Sequence, residues 1–487
     1  MVENEVHWLI HLLYLAGYLL ALALVVRIVM LQRPAGVTFA WILVVLLLPY
    51  VGALAYLLIG ERRLGETRSR RASAIHRLYE DWLDDLKRRF GDAGERLPER
   101  HRPLVREAIQ VTGLPPMPGN RLQLLDHYEA IFRAMIGDID QAVSYCHLEF
   151  YIWSEGGLAD ELAQALLRAR QRGVVCRVQL DAVGSKPFLQ GKWARRLREG
   201  GVELVEALPV SPLRLLFRRM DLRNHRKIMV IDGRVGYTGS QNLVDPRFFK
   251  QQAGVGEWID VMIRAEGPVL EALIGVVVED WQQETGRALE VIETYADNMA
   301  GDSGGSTPVQ VIPSGPSYRY MAIHQLLTTV LYSARRELLL VTPYFVPDDT
   351  LKLALMSAAQ RGVEVTLLVP ERVDSLLVRY ASRSLFDDLL AVGVRVAQFR
   401  GGLLHTKAII VDGGFTVLGS VNMDMRSLWL NFEISLFVYD RDFTRRTRQL
   451  VRGYLADSRF IDAEAWRQRP ARQRLVENLA RLVGPLL

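Results

Sequence analysis

Two stretches of the chain carry the side chains best suited to chemistry. Residues 225–242 read HRKIMVIDGRVGYTGSQN, and residues 405–422 read HTKAIIVDGGFTVLGSVN. Each places a histidine and a lysine two positions apart on a β-branched run, so both side chains point to one face of a strand. Such groups rarely belong in an apolar core. The shared positions are His225 and His405, Lys227 and Lys407, Asp232 and Asp412, Gly239 and Gly419, Ser240 and Ser420, and Asn242 and Asn422.

If the two copies met across a pseudo-twofold axis, they would form a cationic pocket for a tetrahedral anion. Lysine ammonium groups would hold phosphate oxygens, with Ser240, Ser420 and the asparagine amides completing the shell. One neutral imidazole can attack phosphorus while the other, protonated, donates to the leaving oxygen. The lysines supply the charge that Mg²⁺ gives elsewhere, so we predict no metal and no cofactor. Zinc is the alternative for the histidines, but the neighbouring lysines would repel it.

The paired motif resembles that of the phospholipase D superfamily, H-x-K-x4-D-x6-G-S-x-N, which the sequence matches twice without a gap. Four segments are similar to bacterial cardiolipin synthases: RNHRKIMVIDGRVGYTGSQNLVDPRFFK, GVGEWIDVMIRAEGPV, TPYFVPD and LLHTKAIIVDG. LIGERRLG and the terminal GPLL are similar as well, so the resemblance covers nearly the whole chain. It implies that His225 is the nucleophile that forms a phosphohistidine, and that His405 is the general acid and later the base. The phosphoryl-binding residues that it implies are Lys227, Lys407, Asn242 and Asn422.

The same resemblance implies an acid on the strand after each motif, hydrogen-bonded to the histidine ring. The candidates are Asp260 in EWIDVMI and Glu433 in NFEISLFV. Glu257 is close enough to Asp260 to be an alternative, and Glu433 could instead be an ordinary strand-surface carboxylate. Asp232 and Asp412 each precede a glycine, so a turn role is an alternative to the catalytic role that the motif implies.

The implied reaction is a phosphatidyl transfer. One phosphatidylglycerol loses glycerol to the enzyme, and the primary hydroxyl of a second attacks the intermediate, giving cardiolipin and glycerol. Phosphatidylglycerol, other anionic phospholipids and the bilayer are the expected partners, and the sequence does not indicate the oligomeric state. A phospholipase D that uses water would need the same residues. A nuclease would share the phosphodiester target, but a tether at the bilayer helps little with nucleic acid. A non-enzymatic membrane scaffold would not need both motifs.

The elements around the motifs repeat as well. Strand, helix and strand are predicted at 142–153, 156–173 and 174–184, and the same order returns at 337–346, 348–362 and 363–370. We therefore predict an α/β fold of two duplicated phospholipase D-like domains, each a mixed β-sheet flanked by helices, related by a pseudo-twofold axis. The predicted boundaries are 1–60 for a transmembrane hairpin, 61–118 for a basic helical connector, 119–295 for the first domain, 296–308 for a linker, and 309–487 for the second domain with a C-terminal amphipathic segment.

The N-terminus carries two long apolar runs, at 8–31 and 37–59. At ~1.5 Å per residue each would reach about 34–36 Å, enough to cross a hydrocarbon core of ~30 Å. The short linker QRPAG predicts a tight hairpin of two transmembrane helices. A cleaved signal peptide is the alternative, but MVENEVH is acidic and a second run follows at once. The arginines of ERRLGETRSRR predict that everything after residue 60, including the catalytic domains, lies in the cytoplasm. The resemblance to bacterial cardiolipin synthases implies that the membrane is the inner membrane, so we predict a multi-pass protein of the bacterial inner membrane.

Composition bounds the remaining possibilities. The chain has 487 residues, of which 49% are hydrophobic, and a formal charge of +5. Cys146 and Cys176 are its two cysteines, too few for a disulfide framework or a cysteine zinc site. Two basic segments are candidates for lipid contact. For 211–227 the alternative is a solvated basic helix, and 467–487 could instead dock on the domain.

Overall fold

The structure is a computed structural model that describes residues 2–31, 35–60, 79–209, 221–287, 304–318 and 321–482. The arginine-rich stretch after the second apolar run, most of the predicted linker and most of the basic segment 211–227 lie outside the described residues. The chain packs into two compact units. One contains the N-terminal helices, and the other contains the sheet with its helices.

Among the described residues of the N-terminal unit, one helix is long and apolar enough to cross a membrane. Helix α1 spans Val2–Met30, and its apolar part is Val6–Met30. The second apolar run forms two shorter helices, α2 (Ala35–Leu47) and α3 (Pro49–Ala55). Leu48 between them has a φ of −130° and a ψ of 71°, because a proline disfavours the helical conformation in the residue before it. The predicted second continuous span, and with it the two-helix hairpin, is therefore not confirmed.

These helices pack on one another through a small apolar cluster. Its buried members are Ala21, Leu24, Ile28, Val45, Ala53 and Tyr56. The Tyr50 hydroxyl also donates a hydrogen bond to the Leu13 carbonyl. Many other large apolar side chains of α1, among them Trp8 and Leu12, are exposed, as suits a helix surrounded by lipid.

The second unit is built on a mixed sheet of fifteen strands, accompanied by two short strand pairs. The strands are β1 (Met117–Leu125), β2 (Tyr145–Phe150), β3 (Val175–Asp181), β4 (Glu203–Ala207), β5 (Lys227–Ile231), β6 (Val235–Gly239), β7 (Trp258–Ile259), β8 (Met262–Glu266), β9 (Thr307–Ser314), β10 (Glu337–Val341), β11 (Phe345–Val346), β12 (Glu364–Pro370), β13 (Arg395–Phe399), β14 (Leu403–Leu404), β15 (Ala408–Val411), β16 (Phe415–Gly419), β17 (Met423–Asp424), β18 (Glu433–Val438) and β19 (Ser458–Phe460). Their order across the large sheet is β19-β13-β12-β10-β15-β16-β18-β9-β1-β8-β6-β5-β2-β3-β4.

Helices cover the sheet and connect its parallel strands. They are α4 (79–90), α5 (Arg102–Thr112), α6 (Tyr128–Asp140), α7 (Leu158–Gln171), α8 (Lys186–Leu189), α9 (Lys192–Glu199), α10 (Val269–Thr285), α11 (Ala322–Ser333), α12 (Asp349–Gln360), α13 (Leu376–Ser384), α14 (Phe386–Ala391), α15 (Met425–Trp429), α16 (Arg441–Ala456), α17 (Ala463–Arg467) and α18 (Ala471–Leu482). Helix α10 is buried along most of its length and contributes to the core at the middle of the sheet.

The sheet consists of two half-sheets of matching strand order. The sequence β4-β3-β2-β5-β6-β8-β1 in the first half corresponds to β13-β12-β10-β15-β16-β18-β9 in the second. The halves join where β1 and β9 pair antiparallel, so the two orders are related as a pseudo-twofold axis requires. The predicted strand–helix–strand units are present as β2-α7-β3 and β10-α12-β12. The α/β fold with duplicated halves is confirmed, whereas the predicted domain boundaries stay predictions.

Antiparallel pairing brings the motif residues together at the same ends of neighbouring strands in each half-sheet. β6 pairs with both β5 and β8, so the start of β5, the end of β6 and the start of β8 lie side by side. β15, β16 and β18 repeat this arrangement. Gly239 and Gly419 end β6 and β16, where a Cβ atom would overlap the backbone of the next strand. The motif glycines therefore allow a close strand approach beside the serines and asparagines.

Candidate active site

The first motif places His225 and Lys227 where the chain enters β5. The His225 backbone N–H donates to the Phe432 carbonyl at 2.8 Å, which ties this segment to the second half of the chain. Lys227 Nζ donates to the His225 carbonyl at 2.6 Å. The lysine is buried, while the His225 side chain keeps 19% of its surface exposed. A partly open imidazole beside a buried ammonium is suited to meeting an anionic substrate.

The second motif repeats this arrangement at the entry to β15. The His405 backbone N–H donates to the Ile259 carbonyl at 2.8 Å, and Lys407 Nζ donates to the His405 carbonyl at 2.5 Å. Both side chains are buried. Each histidine is thus held by a backbone bond from the opposite half, which ties the two motifs to one site.

The carboxylate partners of the histidines are crossed between the halves. Glu433, in the second half, lies 3.2 Å from His225 Nδ1. Asp260, in the first half, lies 2.7 Å from His405 Nδ1. A carboxylate on Nδ1 holds the ring with its Nε2 atom available for reaction. Both predicted acids are thus beside a histidine, each beside the one from the other motif.

Glu257 is not the partner. Its side chain is exposed, whereas Asp260 is buried, so the choice left open by the sequence goes to Asp260. Glu433 is likewise buried rather than on a strand surface.

The motif serines lie behind the two carboxylates. Ser420 Oγ donates to Glu433 at 2.6 Å and accepts from the Ile434 N–H at 2.9 Å. Ser240 Oγ accepts from the Val261 N–H at 3.0 Å. These bonds connect β16 to β18 and the end of β6 to the start of β8. The predicted contact of the serines with phosphate stays a prediction.

The motif asparagines are buried at the same strand ends. Asn242 Oδ1 accepts from the Ile152 N–H at 3.2 Å. Asn422 Oδ1 is buried and has no hydrogen-bond partner within the described parts of the chain. Only the amide nitrogens of Asn242 and Asn422 can donate to a phosphoryl oxygen, and phosphoryl binding by both asparagines stays a prediction.

Burial and repulsion between like charges lower the pKa values of the basic side chains in the site. Burial lowers the pKa of Lys407 to about 7, Lys227 adds to this effect, and Asp260 opposes it. Burial likewise lowers the pKa of Lys227 to about 8, although Glu433 and Asp260 oppose it. Burial also lowers the pKa of His405 to about 4; Asp260 opposes this effect, and both lysines add to it. An anion that entered the site would offset this repulsion and favour the protonated forms.

Three side chains of the site were not identified from the sequence. The Tyr151 ring centroid lies 4.0 Å from that of His225, and the Trp258 centroid lies 4.5 Å from that of His405. The Asn431 amide nitrogen lies 3.2 Å from His225 Nδ1. Tyr151 directly follows β2, and Trp258 and Asn431 stand two residues before Asp260 and Glu433. The closeness of these three residues in sequence to predicted strands or site residues was the one signal that could have identified them.

A buried arginine braces the first motif. Arg226 is fully buried, its Nη1 pairs with Asp280, and its Nε donates to the Glu433 carbonyl at 3.2 Å. It therefore connects the strand that follows His225 to the residue that holds the His225 ring. The equivalent position in the second motif is Thr406, so this brace belongs to the first half alone.

Asp232 and Asp412 do not lie beside the histidines but in turns, the alternative that the sequence left open. Each is the first residue of a three-residue hairpin loop, 232–234 or 412–414, and has a φ of 52°, followed by a glycine that also has positive φ, a conformation typical of hairpin turns. Strand β5 begins at Lys227, and Asp232 lies five residues beyond it, about 16 Å further along the strand direction. Its carboxylate accepts from the N–H groups of 143–145, and that of Asp412 accepts from those of 335–337.

We expect Asp232→Ala to lower stability while sparing catalysis. It removes three hydrogen bonds to a charged acceptor and places at positive φ an alanine, which adopts that conformation less readily than aspartate, at a cost of about 3 kcal/mol. The measurement is the free energy of unfolding together with turnover per folded molecule. Asp232→Asn, which tolerates positive φ and keeps one oxygen, should lose less. A large loss of turnover in a fully folded Asp232→Asn protein would contradict the turn role.

The described residues contain no group of three or more histidine, cysteine, aspartate or glutamate side chains placed to hold a metal ion. His225 and His405 each face a carboxylate and stand next to a lysine. The zinc alternative therefore has no ligand set in this part of the molecule.

Comparison with known proteins agrees with this geometry. The chain matches the family described as "Cardiolipin synthase, PLD-like domain" over residues 135–254 and 327–453, and a phospholipase D-nuclease N-terminal family over 19–61. It is 45% identical over 482 residues to cardiolipin synthase A of Cronobacter sakazakii, covering 99% of both chains. It is 43% identical over 485 residues to cardiolipin synthase A of Escherichia coli, covering 99% of this chain and 100% of that one.

A solved structure shares the fold. The phosphatidylserine synthase of Haemophilus influenzae superposes with a TM-score of 0.58 at 14% identity, covering 79% of this chain and 99% of that chain. At that identity the likeness concerns the architecture alone. Each half of the chain matches the same family, in agreement with the duplicated strand order.

Proposed function

The chain belongs to the bacterial cardiolipin synthase family of the phospholipase D superfamily, and we propose that it transfers a phosphatidyl group from one phosphatidylglycerol to another, giving cardiolipin and glycerol. The observation that carries this proposal is the pair of crossed histidine–carboxylate contacts beside two buried lysines. A phosphatidyl transfer needs a nucleophile, a proton donor and charge for the phosphoryl oxygens, and the site has one group for each task.

In the first step, His225 Nε2 attacks the phosphorus of the donor lipid. A nitrogen–phosphorus bond forms, and the bond between phosphorus and the glycerol oxygen breaks. His405 gives its proton to that oxygen, so glycerol leaves as a neutral molecule. Lys227 and Lys407 stabilise the charge on the remaining phosphoryl oxygens. The products are a phosphatidyl-histidine and a neutral His405.

In the second step, neutral His405 takes the proton from the primary hydroxyl of a second phosphatidylglycerol. The oxygen of that hydroxyl attacks phosphorus, the nitrogen–phosphorus bond breaks, and His225 returns to its starting state. Because burial and the lysines lower the pKa of His405, a neutral imidazole is available for this step. The phosphodiester charge in the first step offsets the lysines and favours the protonated form.

The lowered pKa values of Lys227 and Lys407 predict that anion binding weakens with rising pH. Sulfate keeps its charge across neutral pH, so it tests the protein groups alone. We expect its inhibition constant to rise at least about tenfold between pH 6.5 and 9, as the lysines lose protons near their values of about 8 and 7. Lys407→Met, with one titrating lysine fewer, should bind more weakly with a shallower pH dependence. A constant that did not change with pH would contradict this electrostatic account.

The proposed function is tested by mass spectrometry of the lipids formed from phosphatidylglycerol in mixed micelles with a metal chelator present. We expect cardiolipin and an equal amount of released glycerol, and neither product with His225→Ala. Phosphatidic acid without cardiolipin would replace the transferase by a hydrolase with the same histidines. If no lipid reacted, the nuclease alternative would come first.

We also propose that the protein is a multi-pass protein of the inner membrane with its catalytic unit in the cytoplasm. Support comes from the apolar helix Val6–Met30, from the apolar composition of 37–59, and from the arginines that follow. A helical break at a proline is tolerated in membrane helices when its freed backbone groups are satisfied. Accessibility of an engineered cysteine at Asp457 to a membrane-impermeant reagent, in intact cells and in inverted vesicles, tests the orientation.

A further inference from the structure

The last helix docks on the catalytic unit through its polar side. Glu477 of α18 is fully buried, and its carboxylate accepts from Arg383 of α13 and from Arg469, each at 2.8 Å. Ala480, one turn further on, packs with Ala381 and Val346. The sequence left open whether this segment docks on the domain, and in the described residues up to 482 it does so.

Its apolar side remains exposed. Leu475, Val476, Leu479 and Leu482 are between 46% and 75% exposed, and the three leucines follow the i, i+4, i+7 spacing of one helix stripe. A helix of a soluble domain buries that stripe and exposes its charges. Helix α18 instead leaves its leucine stripe exposed and buries its single acidic residue, Glu477.

The rest of the exposed surface of α18 is basic. Arg472, Arg474 and Arg481 are all exposed, and no exposed acid on this helix offsets them. Leucines beside arginines on one helix match the interfacial region of an anionic bilayer, where apolar side chains enter the acyl boundary and cations meet phosphates. A protein partner would need acidic side chains around an apolar groove.

Helix α13 connects this surface of α18 to the neighbourhood of the site. Leu376 and Leu377, at its start, are also exposed. Two residues before Leu376, Asp374 accepts from the Tyr344 hydroxyl at 2.7 Å and pairs with Lys250 at 3.0 Å. Val373 belongs to the apolar cluster of Trp258, and Trp258 lies against the His405 ring. The exposed leucines at the start of α13 are thus linked to the His405 ring through the partly buried Val373 and the buried Trp258.

We propose that the exposed faces of α13 and α18 form a surface by which the catalytic unit lies on an anionic lipid bilayer, in addition to any membrane anchoring by α1. The leucines enter the interface, and the arginines bind lipid phosphates. The surface shortens the path of a phospholipid headgroup from the bilayer to His225 and His405. This inference goes beyond the proposed function, since it concerns contact with lipid whether or not the lipid reacts.

Depth-dependent quenching of a fluorophore tests the contact directly. Cys146 and Cys176 are buried, so a fluorophore can be attached selectively at Leu479→Cys or, as a control, at Leu353→Cys on α12, which is 57% exposed. The full chain is reconstituted in vesicles of phosphatidylglycerol and phosphatidylcholine containing spin-labelled lipid. We expect quenching at position 479 and little at 353. The same result in a His225→Ala background would separate lipid contact from catalysis, whereas equal quenching at both positions would overturn the proposal.

Turnover gives a second, independent test. The triple variant Leu475→Gln, Leu479→Gln, Leu482→Gln should show about tenfold lower turnover on vesicles, because we expect the affinity of this surface for the bilayer to fall by about that factor. It should retain turnover on short-chain monomeric phosphatidylglycerol. In the matched control, glutamine replaces Val143, Tyr332 and Leu353, three exposed apolar side chains elsewhere. This control should keep its turnover on both vesicles and monomeric lipid.

The other outcomes overturn the proposal. Unchanged turnover on vesicles would show that the surface is not used, and equal loss on both substrates would show a structural effect. Disulfide-linked dimers formed by Leu479→Cys, in place of quenching by lipid, would assign the surface to a second copy of this chain.

Discussion

We expect His225→Ala to abolish phosphatidyl transfer from every donor, and His405→Ala to recover its first step when the leaving group is p-nitrophenol. The proposed nucleophile makes the bond to phosphorus, and no leaving group replaces that bond. The proposed general acid is needed only to protonate a basic leaving oxygen, a contribution of about 10²–10⁴ in rate. Nitrophenolate leaves without a proton, so this part of the loss disappears.

The measurement is the burst of nitrophenolate from phosphatidyl-p-nitrophenol, with phosphatidylglycerol as the ordinary donor. His405→Ala should give one burst per site and then stall, because neutral His405 is also required to activate the second hydroxyl. Trapping of the phosphatidyl-histidine in that stalled protein, followed by peptide mapping, identifies the attacking residue. The reverse pattern, with rescue of His225→Ala, would exchange the two roles.

The chemistry was predictable because both motifs are local in sequence. His225 with Lys227, and His405 with Lys407, lie two positions apart on strands, so alternation alone places each pair on one face. Matching strand–helix–strand units then predicted the duplicated halves. In the structure these halves share one sheet because β1 and β9 pair at its centre, a junction between edge strands that periodicity within either half does not indicate.

Other features depended on information that spacing does not contain. Asp232 and Asp412 belong to the motif, but their φ of 52° and their bonds to backbone N–H groups at the start of another strand place them in turns. The run 37–59 is apolar throughout, yet Leu48 leaves the helical region before Pro49. Composition measures the affinity of a segment for lipid, whereas backbone geometry decides whether it forms one helix.

The crossed acids are the clearest example. His405 and Asp260 are 145 residues apart, and each acid is closer in sequence to the histidine that it does not contact. Strand order explains this, because β8 and β18 flank the central β1–β9 pair and so lie nearest to the opposite half. A duplicated fold with its site at the junction therefore completes each histidine with a residue from the other copy.

This crossing predicts the behaviour of two further variants. Asp260→Asn should reproduce the His405 defect, a loss of about 10²–10⁴ with phosphatidylglycerol, because the amide no longer stabilises the protonated ring. Phosphatidyl-p-nitrophenol should restore much of its first step. Glu433→Gln should reproduce the His225 defect and show no such rescue. Glu257→Gln, three residues from Asp260 but exposed, is the matched control and should react at the normal rate with both donors.

The pattern of rescue distinguishes crossed from uncrossed pairing without any further structure. If each acid served the histidine of its own motif, nitrophenolate would rescue Glu433→Gln and not Asp260→Asn. If the carboxylates only stabilised the fold, both variants would lose activity equally with both donors, and their free energies of unfolding would fall together. Rescue of Asp260→Asn alone requires that a residue of the first half control the proton on a histidine of the second, so neither half could carry out the transfer by itself.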